Sequence, residues 1–158
     1  MQVLVCGNRE LGQIAPDLTG KAAALEMTRA SAERKFVVDY LSRIHAETPI
    51  TLLITGQEGG AGSISLNWAR ANKVPTMPWS RLKFPKSALL NSITSFRKKE
   101  RQSDYVMETF EARNARMLAG SQAEMVLAFG GGNTTKLLVE AAKQKGLKVV
   151  EVEIPAVS

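Results

Sequence analysis

The sequence predicts an α/β protein with a Rossmann-like, doubly wound and mostly parallel five-stranded sheet that carries helices on both faces. Short apolar runs alternate along the chain with segments of helical spacing, and this alternation is typical of parallel strands joined by crossover helices. Glycine-bearing turns follow three of the apolar runs. The chain has 158 residues, the length of one domain. We therefore expect a single domain over residues 1–158.

The first half of the chain alternates between three predicted strands and two predicted helices. Apolar residues between Phe36 and Ile44 recur at i, i+1, i+4, i+5 and i+8, so one face of a helix packs inward there. This helix is expected to begin between Ala22 and Ser31 and to end before Pro49. The predicted strands are residues 2–6, 50–55 and 74–79, and the second helix runs from about Ser63 through Ala69.

The second half begins with a basic, poorly patterned segment over residues 80–103, which has the character of an insertion. Helical spacing over Tyr105 to Leu118, with Val106, Phe110, Met117 and Leu118 as inward positions, predicts the third helix, which is also a reasonable interface helix. The remaining predicted elements are a strand over Met125 to Phe129, a helix from about Thr135 to Lys145 and a strand over Leu147 to Val152.

The net charge of +6 is concentrated in one part of the chain. Residues 81–101 hold seven basic residues and one acidic residue, and the remainder is balanced. A polyanion-binding hypothesis must therefore rest on this segment. A solvated surface is the alternative. The candidate nucleic-acid contacts are Arg97, Lys98, Lys99 and Arg101.

Several function classes are disfavoured by composition. Cys6 and His45 are the only cysteine and histidine, too few for a disulfide framework or a classical zinc site, and we predict no metal and no cofactor. The apolar runs are too short to span a bilayer, and the first residues lack the pattern of a signal peptide. We expect a cytoplasmic protein without a membrane partner.

The candidate chemistry lies in the three glycine-bearing turns. In a doubly wound sheet, ligands bind beyond the carboxyl ends of the strands, and free N–H groups at helix N-termini attract anions. Glycines that serve turn geometry alone are the alternative. The candidate ligand-binding residues in these turns are Gly7, Asn8 and Arg9, then Gly59, Gly60, Ala61, Gly62 and Ser63, and finally Gly130, Gly131, Gly132, Asn133, Thr134 and Thr135.

Arg9 and the pair Arg113 and Asn114 are further candidate ligand contacts. Arg9 follows the first strand, where a guanidinium could bind a phosphate with two hydrogen bonds. Arg113 and Asn114 lie on the predicted helix before the fourth strand, and asparagine has a modest helix propensity that favours a hydrogen-bonding role. Solvated surface residues are the alternative for all three.

In order and spacing, these motifs resemble the SLOG superfamily, most closely its YspA-like branch and more distantly LOG phosphoribohydrolases and the DNA-processing protein DprA. The resemblance covers residues 2 to about 153. The matching motifs are Gly7-Asn8-Arg9, Gly56 with Gly60-Ala61-Gly62-Ser63, Trp68-Ala69, Trp79, Arg113-Asn114-Ala115-Arg116-Met117 and Phe129-Gly130-Gly131-Gly132-Asn133-Thr134-Thr135.

The resemblance implies a nucleotide-related function, and three hypotheses follow. The leading one is binding of a nucleotide or nucleotide-derived ligand, for sensing or sequestration, in a phage, plasmid or stress context. The second is LOG-like phosphoribohydrolase activity. It is disfavoured because Leu138 occupies the position of the family's catalytic glutamate, unless Glu58 or Glu140 substitutes. The third is DprA-like binding of single-stranded DNA through residues 81–101. The resemblance also implies a homodimer or a higher homo-oligomer.

Overall fold

The computed structural model describes residues 1–86 and 105–156. Seven strands and four helices lie in these residues. In chain order they are β1 (Gln2–Gly7), α1 (Gly20–Glu47), β2 (Leu52–Gly56), α2 (Ala61–Ala71), β3 (Thr76–Trp79), β4 (Lys83–Pro85), β5 (Tyr105–Met107), α3 (Phe110–Gly120), β6 (Met125–Phe129), α4 (Asn133–Gln144) and β7 (Lys148–Val152). Arg97, Lys98, Lys99 and Arg101, the candidate nucleic-acid contacts, lie outside the described residues.

Five strands form one sheet in the order β3-β2-β1-β6-β7, and every pair in it is parallel. The predicted five-stranded, Rossmann-like sheet is therefore confirmed. The chain extends the sheet from β1 to one side through β2 and β3, then crosses to the other side of β1 to form β6. The strand order thus reverses between β1 and β6, where a doubly wound fold leaves a crevice at the carboxyl edge.

Helices cover both faces of this sheet, as the sequence predicted. Side chains of adjacent strand residues point to opposite faces, so Val3 and Val5 pack with α1 and α2, whereas Leu4 packs with α3 and α4. Leu138, on α4, is buried in the second of these clusters. Leu138, which stands where the resemblance to LOG phosphoribohydrolases would place a glutamate, therefore belongs to the core.

The helix predicted over Tyr105 to Leu118 is wrong in its first part. Tyr105–Met107 is the strand β5, which pairs antiparallel with β4 and forms a two-stranded ribbon outside the main sheet. Val106 is 38% exposed and does not point inward. Val106 and Phe110 are four positions apart, the spacing of one helix face, and this spacing produced the wrong prediction. In the structure, the Thr109 side chain accepts a hydrogen bond from the Ala112 N–H at 3.1 Å. This cap fixes the start of α3 at Phe110.

The first helix begins earlier than predicted, at Gly20, and spans 28 residues. At 1.5 Å per residue a helix of this length is about 42 Å long, roughly twice the length of a six-residue strand. Its buried residues are Ala30, Val37 and Leu41, so its first turns extend past the sheet at the edge where β1 ends. Among the described residues, no helix is both long and apolar enough to cross a membrane.

Candidate functional site

Two connected hollows lie at the carboxyl edge of the sheet. The outer one lies between the loop after β1 and the turn after β6, where the strand order reverses, and the inner one lies over the ends of β1 and β2 beside α3. The outer one is a groove of about 400 Å³, within the usual size range of small-molecule sites. The inner one is a cavity of about 30 Å³, which is room for about two water-sized groups. The two share Gly7, Arg9, Thr134 and Thr135 in their linings, so we treat them as one site with a wide mouth and a narrow end.

The narrow end is built around an ion pair between Arg113 and Glu58. Arg113 is 1% exposed, and both of its terminal nitrogens donate to the Glu58 carboxylate, one of them at 2.8 Å. The same guanidinium donates to the carbonyl of Trp79 at 3.0 Å and, through Nε, to Oδ1 of Asn114 at 2.8 Å. Every nitrogen of the guanidinium thus has an acceptor within the protein, so Arg113 positions the groups around it.

Asn114 and Thr135 each have a polar group without a hydrogen-bond partner in the described residues, namely the Asn114 amide nitrogen and the Thr135 hydroxyl. Asn114 is 7% exposed and Thr135 is 8% exposed, and both line the inner cavity. The Asn114 amide oxygen is taken by Arg113. Within residues 1–86 and 105–156, its amide nitrogen and the Thr135 hydroxyl make no hydrogen bond. Buried polar groups in proteins are nearly always hydrogen-bonded, so these two are available to a ligand or to water.

Burial and nearby charge shift the pKa values of Glu58 and Cys6, two of the ionisable groups that line the inner cavity. Burial raises the pKa of Glu58, but the hydrogen bonds and charge of Arg113 outweigh this effect and hold that pKa below its usual value. Glu58 is therefore a carboxylate at neutral pH. Burial, together with the nearby Glu58 charge, raises the pKa of the Cys6 thiol to about 12. Because the thiolate is the reactive form, Cys6 is an unreactive wall of the cavity.

The turn that precedes α4 opens onto the outer groove. Its cap residue is Gly132, and no side chain caps the helix. Among the described residues, nothing accepts a hydrogen bond from the N–H groups of Asn133, Thr134 or Thr135, which are the unpaired donors of a helix start. The Thr134 hydroxyl donates to Glu111 at 3.1 Å. This helix end therefore presents free donors and a positive dipole to the groove.

The turn that precedes α2 is closed by the protein itself at Gly60, Ala61 and Ser63, whereas its Gly59 and Gly62 line the inner cavity. The N–H of Ala61 donates to the carbonyl of Asn8 at 3.1 Å, and the Ser63 hydroxyl donates to the carbonyl of Glu58 at 3.3 Å. Gly60 has φ +76°, and a Cβ at this position would lie 2.2 Å from the Asn8 carbonyl oxygen. The glycine is thus required by the close approach of two backbones.

Arg9 lines the outer groove, and its guanidinium stacks on an aromatic ring. It is exposed, and its guanidinium carbon lies 4.0 Å from the ring centroid of Phe110, the first residue of α3. The Arg81 guanidinium lies 4.3 Å from the same centroid. Stacking on an aromatic ring holds a guanidinium in place while leaving its N–H groups free.

The structure brings most of the predicted site residues together, although their role in ligand binding stays a prediction. Gly60, Ala61 and Ser63 line neither hollow, because they form the closed turn. Gly130 and Gly131 line a separate hollow beside β7. The inner cavity is lined by Gly7, Arg9, Gly59, Gly62, Arg113, Asn114, Thr134 and Thr135, and the groove adds Asn8, Gly132 and Asn133.

Glu58 and Phe110 are two of the lining residues that are absent from the predicted ligand contacts. The others are Val5, Cys6, Glu10, Thr55, Gly56 and Met117. Glu58 was considered only as a substitute catalytic carboxylate, because nothing in the local sequence reveals its pairing with Arg113, 55 positions away. Phe110 was interpreted as an inward-facing core residue, but it lines the inner cavity. The other substitute carboxylate, Glu140, is exposed on α4 and lines neither hollow. In the described parts of the chain, no group of three His, Cys, Asp or Glu side chains could hold a metal ion.

Comparison with known proteins agrees with the geometry at the level of the family. No match was found among curated proteins or among solved structures. One family model matches residues 1–80, and its description is YAcAr: YspA, cpYpsA-related SLOG family. The match spans β1 to β3, including the closed turn and Arg9, and it covers half of the chain. Together with the doubly wound sheet and the site at its reversal point, this match shows that the chain belongs to the YspA, cpYpsA-related SLOG family.

Proposed function

We propose that this protein binds a nucleotide or nucleotide-derived ligand, for sensing or sequestration, with a phosphate on the turn before α4. The observation that carries the proposal is the uncapped N-terminus of α4, which opens onto a groove of about 400 Å³ beside two open polar groups. Those groups are the amide nitrogen of Asn114 and the hydroxyl of Thr135, both more than nine-tenths buried. A helix start supplies both N–H donors and a favourable dipole for an anion.

Arg9 supplies the second phosphate contact in this proposal. It lines the same groove as Thr134 and is held over the Phe110 ring. A guanidinium can bind two phosphate oxygens in parallel. The backbone N–H groups then fix the position of the phosphate, and Arg9 neutralises its charge from the solvent side.

A hydrolase is the second candidate, and Glu58 is the observation that favours it. Within the described residues, it is the only carboxylate that lines the inner cavity. A carboxylate beside a ribosyl centre can stabilise the positive charge that develops as an N-glycosidic bond breaks. The assay that separates this candidate from binding alone is release of free base from nucleoside monophosphates, measured by chromatography.

The proposal is tested by thermal unfolding in the presence of AMP, cyclic AMP, ADP-ribose and inorganic phosphate. A ligand at 100 times its dissociation constant stabilises the folded state by about 2.7 kcal/mol, which raises the melting temperature by several degrees. We expect stabilisation by at least one phosphate-bearing nucleotide. Stabilisation by oligonucleotides alone would instead favour binding through residues 81–101, and no response at all would contradict the proposal.

The matched variants are Arg9→Gln and Arg70→Gln. Both remove one exposed arginine charge, but Arg70 lies in the last turn of α2, at the opposite edge of the sheet. We expect Arg9→Gln to abolish most of the ligand-induced stabilisation and Arg70→Gln to leave it unchanged. Equal effects of the two variants would mean that net charge, and not the groove, governs binding.

A further inference from the structure

The inner cavity has a hydrogen-bonding pattern that selects one kind of chemical group. Glu58 is ionised, because Arg113 keeps its pKa low despite burial, and an ionised carboxylate only accepts hydrogen bonds. The open amide nitrogen of Asn114 only donates them. A group that satisfies both neighbours must therefore donate to one and accept from the other, as a hydroxyl does.

The size of the cavity excludes the larger parts of a nucleotide. Its volume of about 30 Å³ holds about two water-sized groups, which is too little for a nucleobase ring. A second phosphate would place negative charge against the Glu58 carboxylate in a poorly solvated space, and this arrangement is unfavourable. Two adjacent hydroxyl groups fit the volume, the charge and the hydrogen-bonding pattern together.

The groove and the cavity are close enough for one ribose 5-phosphate to occupy both, with its phosphate in the groove and its hydroxyls in the cavity. The two hollows share Thr134 and Thr135 at the start of α4. A phosphate on this helix start therefore lies next to the entrance of the cavity. In a 5′-phosphorylated ribose, the vicinal hydroxyls lie on the opposite side of the sugar ring from the phosphate.

We propose that Glu58 and Asn114 recognise the vicinal 2′- and 3′-hydroxyls of a 5′-phosphorylated ribose, so that the site selects ribonucleotides over deoxyribonucleotides. One hydroxyl donates to the Glu58 carboxylate, and its neighbour accepts from the Asn114 amide. Arg113 positions both residues through its hydrogen bonds to them. This inference rests on the proposed function, since it assigns the phosphate to the turn before α4.

The first test compares ligands on the unmodified protein by isothermal titration calorimetry. The probes are ribose 5-phosphate, AMP, GMP, CMP and UMP, together with their 2′-deoxy counterparts and 3′-deoxy-AMP. A hydrogen bond to the charged Glu58 carboxylate contributes more than one to the neutral Asn114 amide. We therefore expect at least about tenfold weaker binding of the deoxy ligand that lacks the Glu58 contact and about threefold weaker binding of the one that lacks the Asn114 contact. Equal affinity within every ribo and deoxy pair would overturn this inference while leaving the proposed function intact. Absence of binding by all probes, together with inorganic phosphate, would overturn both.

The second test assigns the selectivity to the two residues. In Glu58→Gln and Asn114→Ser, we expect the ratio of ribo to deoxy affinity to fall toward one. Asn114→Ser leaves the ion pair of Arg113 and Glu58 in place, so it remains informative if Glu58→Gln folds poorly. Thr134→Val is the matched control, because it alters the proposed phosphate position and not the cavity. We expect it to weaken binding of the ribo and deoxy ligands by the same factor, so that the ratio of their affinities does not change. A ratio that stays unchanged in a folded Asn114→Ser or Glu58→Gln protein would contradict the assignment.

Discussion

The two glycine-rich turns that precede α2 and α4 have similar sequences and opposite structures. Each follows a parallel strand and leads into a helix without a side-chain cap. In the turn before α2, the protein fills the space, and a Cβ on Gly60 would overlap the backbone of Asn8. In the turn before α4, a Cβ on Gly132 would meet nothing within 4 Å. Gly60 lets two backbones pack, whereas Gly132 leaves room in the groove for something outside the protein.

This difference shows that a run of glycines by itself does not identify a ligand site. In the sequence, both turns are equally good candidates for ligand binding, because their glycines indicate only that another group can come close to the backbone. What approaches it is decided by residues far away in the chain. Before α2 it is the loop after β1, whereas in the described residues the side chain that hydrogen-bonds to the first turn of α4 is the exposed Glu111 carboxylate, which accepts from the Thr134 hydroxyl.

Breaking the ion pair of the closed turn is the change with the largest expected effect. Arg113→Met removes the charge that neutralises Glu58 and leaves the Trp79 carbonyl without this donor. Removing one partner of a buried ion pair costs about 3–5 kcal/mol. Because the Glu58 side chain is 26% exposed, we expect the lower end of this range, about 3 kcal/mol, which lowers the melting temperature of a protein of this size by about 10 °C. Thermal unfolding followed by circular dichroism measures this. A loss of less than about 1 kcal/mol would mean that the pair is not a structural support.

Gly60→Ala is expected to be nearly as damaging, although it adds one methyl group. The positive φ of Gly60 is unfavourable for alanine, and the overlap is with rigid backbone. Strain of this kind costs about 3 kcal/mol. Chemical denaturation gives the value. The matched variant is Gly20→Ala, which also has a positive φ but open space around its Cβ, so a smaller loss there isolates the contribution of the overlap.

Acid should weaken the closed turn through Glu58. Its folded-state pKa is lowered relative to the unfolded chain, so the stabilisation is present above the unfolded pKa and is lost as pH falls through the folded value. We expect the melting temperature to fall as pH drops below about 4.5, the ordinary pKa of glutamate. Glu58→Gln should reduce this dependence, and Glu111→Gln, an exposed control, should retain it. Identical acid profiles of all three proteins would contradict this assignment.

The comparison also shows which parts of the molecule could be predicted from sequence. The five parallel strands follow from local patterns, since each is a short apolar run. The ribbon of β4 and β5 does not, because three-residue strands carry too little pattern and Val106 imitates helical spacing. The role of Glu58 depends on a partner 55 positions away, which no local rule reveals. Turn positions were thus predictable, whereas the closed or open state of a turn required the tertiary contacts.

Gly132→Ala should separate stability from binding at the open turn. With φ −100° and free space around its Cβ, Gly132 can be replaced with a loss of less than about 1 kcal/mol. The added methyl group lies in the groove lining, where a phosphate must approach the N–H groups. We expect at least tenfold weaker binding of the nucleotide found by thermal shift, which corresponds to about 1.4 kcal/mol. Unchanged affinity in a folded variant would mean that the phosphate binds elsewhere.

The smallest expected effect concerns Glu111, which among the described residues is the carboxylate that hydrogen-bonds to the start of α4. Its charge lies beside Thr134, where the proposed phosphate binds, so it opposes binding. Glu111→Gln keeps an oxygen that can accept from the Thr134 hydroxyl but removes the repulsion. Two unit charges several ångströms apart in water interact by about 0.7 kcal/mol, so affinity should rise about threefold at low salt. Because salt screens exposed charges, the gain should shrink at higher ionic strength. Calorimetry at two salt concentrations measures this, with Glu140→Gln, further along α4, as the control. If the nucleotide affinity of Glu111→Gln falls or stays constant at low salt, the bound anion lies away from the start of α4. The glycines of the open turn would then serve backbone geometry alone, as Gly60 does in the closed turn.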